Sequence, residues 1–274
     1  MPPTPSLTRP PEPPQAAMRA PRPARAGTKH TPSLADLWAT ISAGHWFRSL
    51  APELAQQLQA LAQPVTLAAG DWLFRRGDPP CGLYAVARGT LDLSGSESLG
   101  GPEPAGLLSL AEPPMWLGEI SLFDGHSRTH DVRAATDCCL LHVPQAALRE
   151  WLRTHPAHWQ PLALLLADRL RACQAALEEQ VLLPAPQRLA RRLVRMAEGF
   201  DPWLPGARPH PACLRRELGV SQEHLARMLG LSRQTTNQIL QALQQSGCLL
   251  LRRGKIEIRD GQALRAAGGG TPVH

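Results

Sequence analysis

The stretch Ser221–Leu243 reads SQEHLARMLGLSRQTTNQILQAL, and its spacing predicts two short helices joined by a tight turn. Ala226 falls where the two helices would cross, and a larger side chain there would clash. Gly230 falls at the turn, where a positive φ is needed. Ser232 can cap the second helix, because a serine hydroxyl accepts hydrogen bonds from free backbone N–H groups. We therefore predict a helix-turn-helix over this stretch.

The second helix of the predicted pair carries polar side chains that suit the edges of DNA bases. Arginine can pair with guanine, glutamine and asparagine can pair with adenine, and hydroxyls can bind phosphates. The candidate DNA-binding residues here are Ser232, Arg233, Gln234, Thr235, Thr236, Asn237 and Gln238. Apart from Ser232 and Thr235, we expect these residues to be exposed.

A predicted β-hairpin follows, with the sequence LLLRRGKIEIR over residues 249–259. Its turn is Arg253-Gly254, and Arg252, Arg253 and Lys255 would lie near the phosphate backbone as a wing. Residues 184–274 carry fourteen basic and six acidic side chains, whereas residues 34–183 carry ten basic and sixteen acidic ones. This asymmetry favours a domain that binds a polyanion, although an ordinary solvated basic face would give the same charge. Together the patterns predict a winged helix-turn-helix that binds double-stranded DNA.

The sequence pattern is different from Val65 to Val143. Short apolar runs such as DWLF, GLYAVA and TLDLS alternate with turn residues such as Gly70-Asp71 and Gly77-Asp78. Many short strands at regular spacing are typical of a compact β-sandwich or roll. We therefore predict a jelly-roll-like β-domain, preceded by a short helix over Pro52–Ala62.

A long helix is predicted from His158 to Leu182. Along it, residues recur at alternating spacings of three and four, in the pattern of a heptad seam. They are Ala163, Leu166, Leu170, Cys173, Leu177 and Gln180. The seam favours pairing with a second copy of the chain, and the alternative is a helix packed on its own domain. Pro184 and Pro186 would then break the helix and form a hinge.

These segments predict an α+β chain with four parts. Residues 1–33 form a tail rich in Pro, Ala and Arg, which we expect to be disordered. The β-domain occupies residues 34–155, the dimerisation helix residues 156–183, and the DNA-binding domain residues 184–274. Within that last part, further helices are predicted over Gln187–Glu198 and Leu214–Leu218.

Composition excludes several functional classes. No run of about 18 apolar residues exists, and the N-terminus has no apolar signal region, so we expect a cytoplasmic protein without a membrane span. The six cysteines lack the spacing of a metal site, and we expect no metal. The sequence shows no nucleophile–base arrangement and no phosphate-binding loop, so we expect no enzymatic activity.

The stretch GEISLFDGHSRT, Gly118–Thr129, is the candidate effector site. Its ends carry Glu119 and Arg128, and Asp124-Gly125 permits a turn between them. Such a segment could simply hold the chain's shape. It could also wrap a small anion with hydroxyl groups. A carboxylate accepts a hydrogen bond from a hydroxyl, and a guanidinium can donate two parallel hydrogen bonds to a phosphate.

The order of β-roll, long helix, helix-turn-helix and wing resembles the bacterial cyclic-AMP receptor/fumarate-nitrate regulator (Crp–Fnr) superfamily. The resemblance covers about residues 45–260, and two blocks carry it, GEISLFDGHSRT and LGLSRQTTNQILQAL. It implies a homodimeric transcriptional regulator that binds a palindromic operator under control of a small effector. RNA polymerase is a further candidate partner. The alternative is an effector-independent or redox-gated regulator with a vestigial pocket.

The resemblance also implies roles for single residues. The pair Gly118-Glu119 would hold a ribose 2′-hydroxyl, and Arg128 with Thr129 would hold the phosphate of a cyclic nucleotide, cyclic AMP being one candidate. Cys173 and Gln174 stand where the cyclic-AMP receptor reads adenine with a Thr-Ser pair, and cysteine is a weaker hydrogen-bond donor.

The implied base readers also depart from that receptor. Arg233 matches its guanine-reading arginine. Gln234 replaces an acidic residue and Gln238 a second arginine, which predicts a shifted half-site.

Overall fold

The computed structural model describes residues 32–95, 106–198, 216–252 and 254–269, so nearly all of the predicted N-terminal tail lies outside it. The chain begins with helices α1 (Leu34–Ser42), α2 (His45–Arg48) and α3 (Pro52–Leu61). Helix α1 starts with a capping box, in which Ser33 and Asp36 satisfy each other's backbone N–H groups. Trp46 and Phe47 of α2 are buried against the β-domain.

Two antiparallel sheets form the β-roll that the sequence predicted. Their strands are β1 (Gln63–Leu67), β2 (Trp72–Phe74), β3 (Gly82–Arg88), β4 (Leu91–Ser94), β5 (Leu107–Ala111), β6 (Trp116–Leu117), β7 (Asp131–Ala134) and β8 (Cys138–Pro144). One sheet has the order β1-β8-β3-β6 and the other β2-β7-β4-β5. Buried residues of both, such as Val86 and Val132, form the core between them.

Three further helices surround the roll. Helix α4 (Glu119–Asp124) lies between β6 and β7, and α5 (Gln145–Thr154) follows β8. A 3-10 turn at Pro156–His158 then leads into the long helix α6 (Trp159–Leu182). The Trp46 indole donates a hydrogen bond to the carbonyl of Pro161 over 2.8 Å, which fixes the start of α6 against the roll.

Helix α6 leaves large apolar side chains exposed along its length. They are Leu164, Leu170, Leu177, Val181 and Leu182. Leu170 and Leu177 belong to the predicted seam. Ala163 and Leu166, two other residues of that seam, are instead half-buried. Pairing with a second copy remains a prediction of this pattern.

The C-terminal region is a small helical domain closed by a three-stranded sheet. Its elements are α7 (Ala185–Glu198), β9 (Glu217–Leu218), α8 (Gln222–Leu229), α9 (Arg233–Gln245), β10 (Leu249–Arg252), β11 (Lys255–Ile258) and α10 (Gly261–Ala267). The sheet order is β10-β11-β9. Buried apolar residues of α7, α8 and α9, among them Leu193, Leu225 and Leu240, form one core.

Two local predictions for this region are wrong. The helix expected over Leu214–Leu218 is a strand at Glu217 and Leu218, because these residues pair with Glu257 and Ile256 of β11. Leu214 lies outside the described residues. Pro186 is not part of the hinge but lies in the first turn of α7, where a missing N–H costs nothing.

The β-roll and the C-terminal domain are in contact. Leu107 and Leu110 of β5 share the apolar cluster of the C-terminal domain. The carbonyl of Leu108 accepts a hydrogen bond from Arg192 of α7 over 3.0 Å.

Within the described ranges, no helix combines the length and apolarity that crossing a membrane requires.

Candidate functional site

Arg128 is the most constrained charged residue of the candidate effector site. Its side chain is 3% exposed, although it follows an exposed loop. Its guanidinium donates to the carbonyls of Gly82 (2.7 Å) and Gly118 (3.3 Å) and lies 4.4 Å from the ring centre of Phe74. Its Nε atom is buried and has no hydrogen-bond partner among the described residues. An anion can stabilise a buried guanidinium whose hydrogen-bond donors are not all paired.

Gly118 is required at this site for two reasons. Its φ is +97°, which favours glycine, and it is the N-cap of helix α4. A Cβ atom at this position would lie 2.4 Å from the Gly82 carbonyl oxygen and 2.7 Å from Nη1 of Arg128. Any larger residue would therefore displace the arginine.

Glu119 lines the same cavity of about 350 Å³ as Arg128. Its side chain is buried, and its Oε1 is 3.6 Å from Nε of Arg169 on α6. Arg169 also donates to the carbonyl of Trp116 over 2.8 Å. The cavity therefore brings Glu119, Arg128 and Arg169 together between the β-roll and α6.

Thr129 and His130 complete the side of the cavity formed by the roll. Thr129 is exposed, and its hydroxyl lies 2.8 Å from Nδ1 of His130. Burial lowers the pKa of His130, as do the charges of Arg76 and Arg169, so the imidazole is neutral at pH 7. A neutral imidazole can both donate and accept hydrogen bonds here.

The two candidate base readers on α6 lie in different surroundings. Cys173 lines the cavity together with Arg169. Gln174 is exposed and is not among the lining residues. The structure therefore brings Gly118, Glu119, Arg128, Thr129 and Cys173 to one cavity, while Gln174 points elsewhere.

Several lining residues were not anticipated from the sequence. Arg169 lies one helical turn before Cys173, so the periodicity of α6 could have indicated it. His130 directly follows the predicted block. Arg192 and Glu198 line the cavity from α7, and burial lowers the pKa of Arg192 to about 10. No local signal indicates them, because the contact between the two domains brings them there.

The DNA-reading element has the geometry that its sequence predicts. Ala226 of α8 is buried, and Gly230 ends α8 with a φ of +62°. The Ser232 hydroxyl accepts a hydrogen bond from the backbone N–H of Thr235 over 3.0 Å and so caps α9. The two helices therefore form a helix-turn-helix.

Helix α9 divides its polar residues between two faces. Arg233, Gln234 and Gln238 are exposed, while Thr235 and Asn237 are half-buried. Thr236 is completely buried, so the expectation that it is exposed is wrong. It lies on the same face as Ile239, Leu240 and Leu243, which packs against the domain core. The remaining candidates stay predictions as base readers.

The wing exposes Arg252 and Lys255. Arg252 lies 3.7 Å from Glu257 of the facing strand, and Lys255 forms an ion pair with Glu217 of β9. These exposed pairs are weak and would exchange readily for phosphate contacts. Arg253 lies outside the described residues.

Comparisons with known proteins agree with both regions. The model of the cyclic nucleotide-binding domain matches residues 64–155, and that of the Crp-like helix-turn-helix domain matches residues 187–267. The cyclic AMP receptor protein of Thermus thermophilus is 30% identical over 222 residues, which cover 80% of this chain and 94% of that protein. The chain belongs to the Crp–Fnr superfamily.

Other relatives of this Crp–Fnr protein agree. A CRP-like cAMP-activated global transcriptional regulator of Mycobacterium tuberculosis is 29% identical over 221 residues, covering 80% of this chain and 93% of its own. The structure of FixK2 from Bradyrhizobium japonicum is 18% identical, covers 78% of this chain and 99% of its own, and has a TM-score of 0.63. That likeness shows the shared fold. The chain is a Crp–Fnr transcriptional regulator with a cyclic nucleotide-binding domain and a helix-turn-helix DNA-binding domain.

Proposed function

We propose that this regulator is a homodimer whose binding to a palindromic DNA site is controlled by a cyclic nucleotide. One observation carries the effector proposal: buried Arg128 has an unpartnered Nε among the described residues and lines the same cavity as buried Glu119. A buried cation of this kind is stabilised by an anion. Two relatives are named after cyclic AMP, which makes cyclic AMP the first effector to test.

Different lining residues would bind different parts of such a ligand. Arg128 and the Thr129 hydroxyl would hold the phosphate, and Glu119 would accept a hydrogen bond from a ribose hydroxyl. Cys173 faces the cavity from α6, but its thiol is a weak donor. A volume of about 350 Å³ lies in the range of small-molecule sites.

Effector binding would act on DNA binding through the contact between the domains. Arg192 and Glu198 of α7 line the cavity, and Leu107 of β5 packs in the core of the DNA-binding domain. An effector that binds one arrangement of the domains more tightly shifts the population toward it. In the homodimer, two copies of α9 would then face successive major grooves. The protein would act in the cytoplasm, where it meets DNA and RNA polymerase.

Calorimetric titration of the full-length protein with cyclic AMP tests this proposal. We expect saturable binding that Arg128→Ala weakens at least about 100-fold, because the anion loses a charge-assisted, buried donor. Thr129→Val, at an exposed position, should weaken binding about tenfold without affecting the fold. Arg48→Ala, which removes an exposed arginine of α2, is the matched control and should bind like the wild type.

Two results would contradict the proposal. Equal affinity of Arg128→Ala and wild type would remove Arg128 from the site. An absence of binding at millimolar cyclic AMP, cyclic GMP and cyclic dinucleotide would exclude the cyclic-nucleotide class. The family assignment and the DNA-binding domain do not depend on either result.

A further inference from the structure

Cys81 lies directly behind the effector cavity, between β2 and β3. Its thiol is partly exposed and does not line the cavity. Its Sγ accepts a hydrogen bond from Nη2 of Arg128 over 3.0 Å and lies 3.2 Å from the Tyr84 hydroxyl. The carbonyl of Cys81 is 3.0 Å from Nε2 of His142, whose ring stacks on Tyr84. The thiol is therefore one member of a packed group of titratable side chains.

This surrounding favours the thiolate form of Cys81. Burial raises the pKa of Cys81, but the nearby His142 side chain, the charge of Arg128 and the hydrogen bonds of Sγ with Tyr84 and Arg128 outweigh burial and lower the pKa to about 6. Burial, together with the Cys81 thiolate, raises the pKa of Tyr84, so the phenol stays protonated and can donate. In contrast, burial raises the pKa of Cys138. The described thiols therefore differ sharply in their chemistry.

Arg128 connects this thiol to the cavity. Its Nη2 contacts Cys81, whereas the side chain as a whole lines the cavity and is 3% exposed. Its buried Nε has no hydrogen-bond partner within the described residues, so the protein does not pair the guanidinium completely. One guanidinium is thus available to two anions, the thiolate behind it and a ligand in the cavity.

We propose that Cys81 is an oxidation site for hydrogen peroxide that controls how well Arg128 binds the effector. This inference rests on the proposed function, because it takes the effector to be held by Arg128. In the reaction, the thiolate sulfur attacks one peroxide oxygen, and an S–O bond forms as the O–O bond breaks. The sulfur gives up two electrons, and the departing hydroxide takes a proton and leaves as water. The product is a sulfenic acid.

Oxidation should change effector binding because the thiolate and the effector share one guanidinium. A phosphate held by Arg128 competes with the Cys81 thiolate, whose Sγ lies 3.0 Å from Nη2 of Arg128. Oxidation replaces the thiolate with an uncharged sulfenic acid, which no longer competes for the positive charge. By linkage, oxidation of Cys81 should therefore strengthen effector binding, and a bound phosphate should raise the pKa of Cys81.

The first test measures the reactivity of each cysteine in the full-length protein. The protein is alkylated with iodoacetamide between pH 5 and pH 9, and peptide mass spectrometry follows all cysteines in one sample. We expect the rate at Cys81 to have its midpoint near pH 6 and to exceed that of exposed Cys173 roughly tenfold at pH 6. Arg128→Ala should move the midpoint upward, as should saturating cyclic AMP. A rate at Cys81 no higher than that at Cys173 would overturn the proposal.

The second test measures the consequence for the effector. Hydrogen peroxide is added, the sulfenic acid is trapped on a sample with dimedone, and cyclic AMP affinity is measured by calorimetry on the untrapped remainder. We expect oxidation at Cys81 and an affinity about fivefold higher or more, whereas the affinity of Cys81→Ser should be insensitive to peroxide. Unchanged affinity after complete oxidation of Cys81 would contradict the coupling.

The two proposals fail in distinguishable ways. If cyclic AMP binding requires Arg128 but Cys81 reacts as an ordinary thiol, the effector site stands and the oxidation site is overturned. If Cys81 reacts fast near pH 6 but no cyclic nucleotide binds, the reactive thiol is supported, while the proposed effector and its coupling to oxidation are overturned.

Discussion

Two arginines show how differently the effector cavity and the recognition helix are built. Arg128 is 3% exposed, and its guanidinium is held by carbonyls of Gly82 and Gly118, which lie far from each other in sequence. Arg233 is exposed on α9, a helix that Ser232 caps locally. The chemistry of the cavity therefore depends on tertiary contacts, whereas that of the helix depends on a short local pattern.

The largest expected effect comes from disrupting α6, the helix that we expect to form the dimer interface. Leu177 is 66% exposed in the apolar stripe of this helix. We expect Leu177→Asp to dissociate the dimer, because it places a carboxylate in an apolar interface. Affinity for a palindromic operator should then fall at least about 100-fold, since one half-site contact is lost.

Analytical ultracentrifugation and fluorescence anisotropy check this prediction. The mass should change from that of two chains to that of one, while Glu178→Gln, at the neighbouring exposed residue, should remain dimeric. Cyclic AMP binding per chain should change less than operator binding, since Arg128 and Glu119 line the cavity from the same chain. A dimeric Leu177→Asp protein would show that the dimer uses another surface.

A change at Arg233 should affect the DNA side alone. An arginine that pairs with guanine discriminates by about 1–3 kcal/mol, which corresponds to about 5- to 150-fold in affinity. We expect Arg233→Ala to relax base preference at one position of each half-site and to leave cyclic AMP affinity unchanged. Selection of binding sites from random DNA measures this, with Gln245→Ala in the last turn of α9 as control. An unchanged binding-site preference would contradict the role of Arg233.

The helix-turn-helix could be predicted because its signals are local. Ala226, Gly230 and Ser232 lie within seven residues of one another, and each has a conformational reason for its position. Strand β9 was mistaken for a helix because its partner β11 lies far along the chain. Backbone pairing between distant segments outweighs local helix propensity, and a single sequence does not display it.

The effector cavity could be predicted in its central chemistry but not in its surroundings. Glu119 and Arg128 were singled out from the sequence as candidates for binding an anion, and both line one cavity. Cys81, Arg169 and Arg192 were not singled out. They come from three separate parts of the chain, and tertiary packing brings Cys81 to Arg128, Arg169 to Glu119 and Arg192 to the edge of the cavity. Their roles depend on how the roll, α6 and α7 pack together.

The smallest expected effect separates the two faces of α9. Thr236 is completely buried, and its hydroxyl has no hydrogen-bond partner among the described residues. Thr236→Val keeps the shape and removes an unsatisfied polar group, so the free energy of unfolding should rise by up to about 1 kcal/mol. Thr235→Val is the matched control. It removes a hydroxyl that lies 2.8 Å from that of Ser232 and should lower stability by about 0.5–1 kcal/mol.

Urea unfolding at equal protein concentration measures both stability changes, and site selection measures base preference. We expect Thr236→Val to leave base preference unchanged, because its side chain faces Leu240 and Leu243 rather than solvent. An altered preference would mean that Thr236 reaches the DNA and that α9 turns when it binds. The recognition helix would then depend on tertiary rearrangement as much as the cavity does, and the contrast between the two arginines would no longer hold.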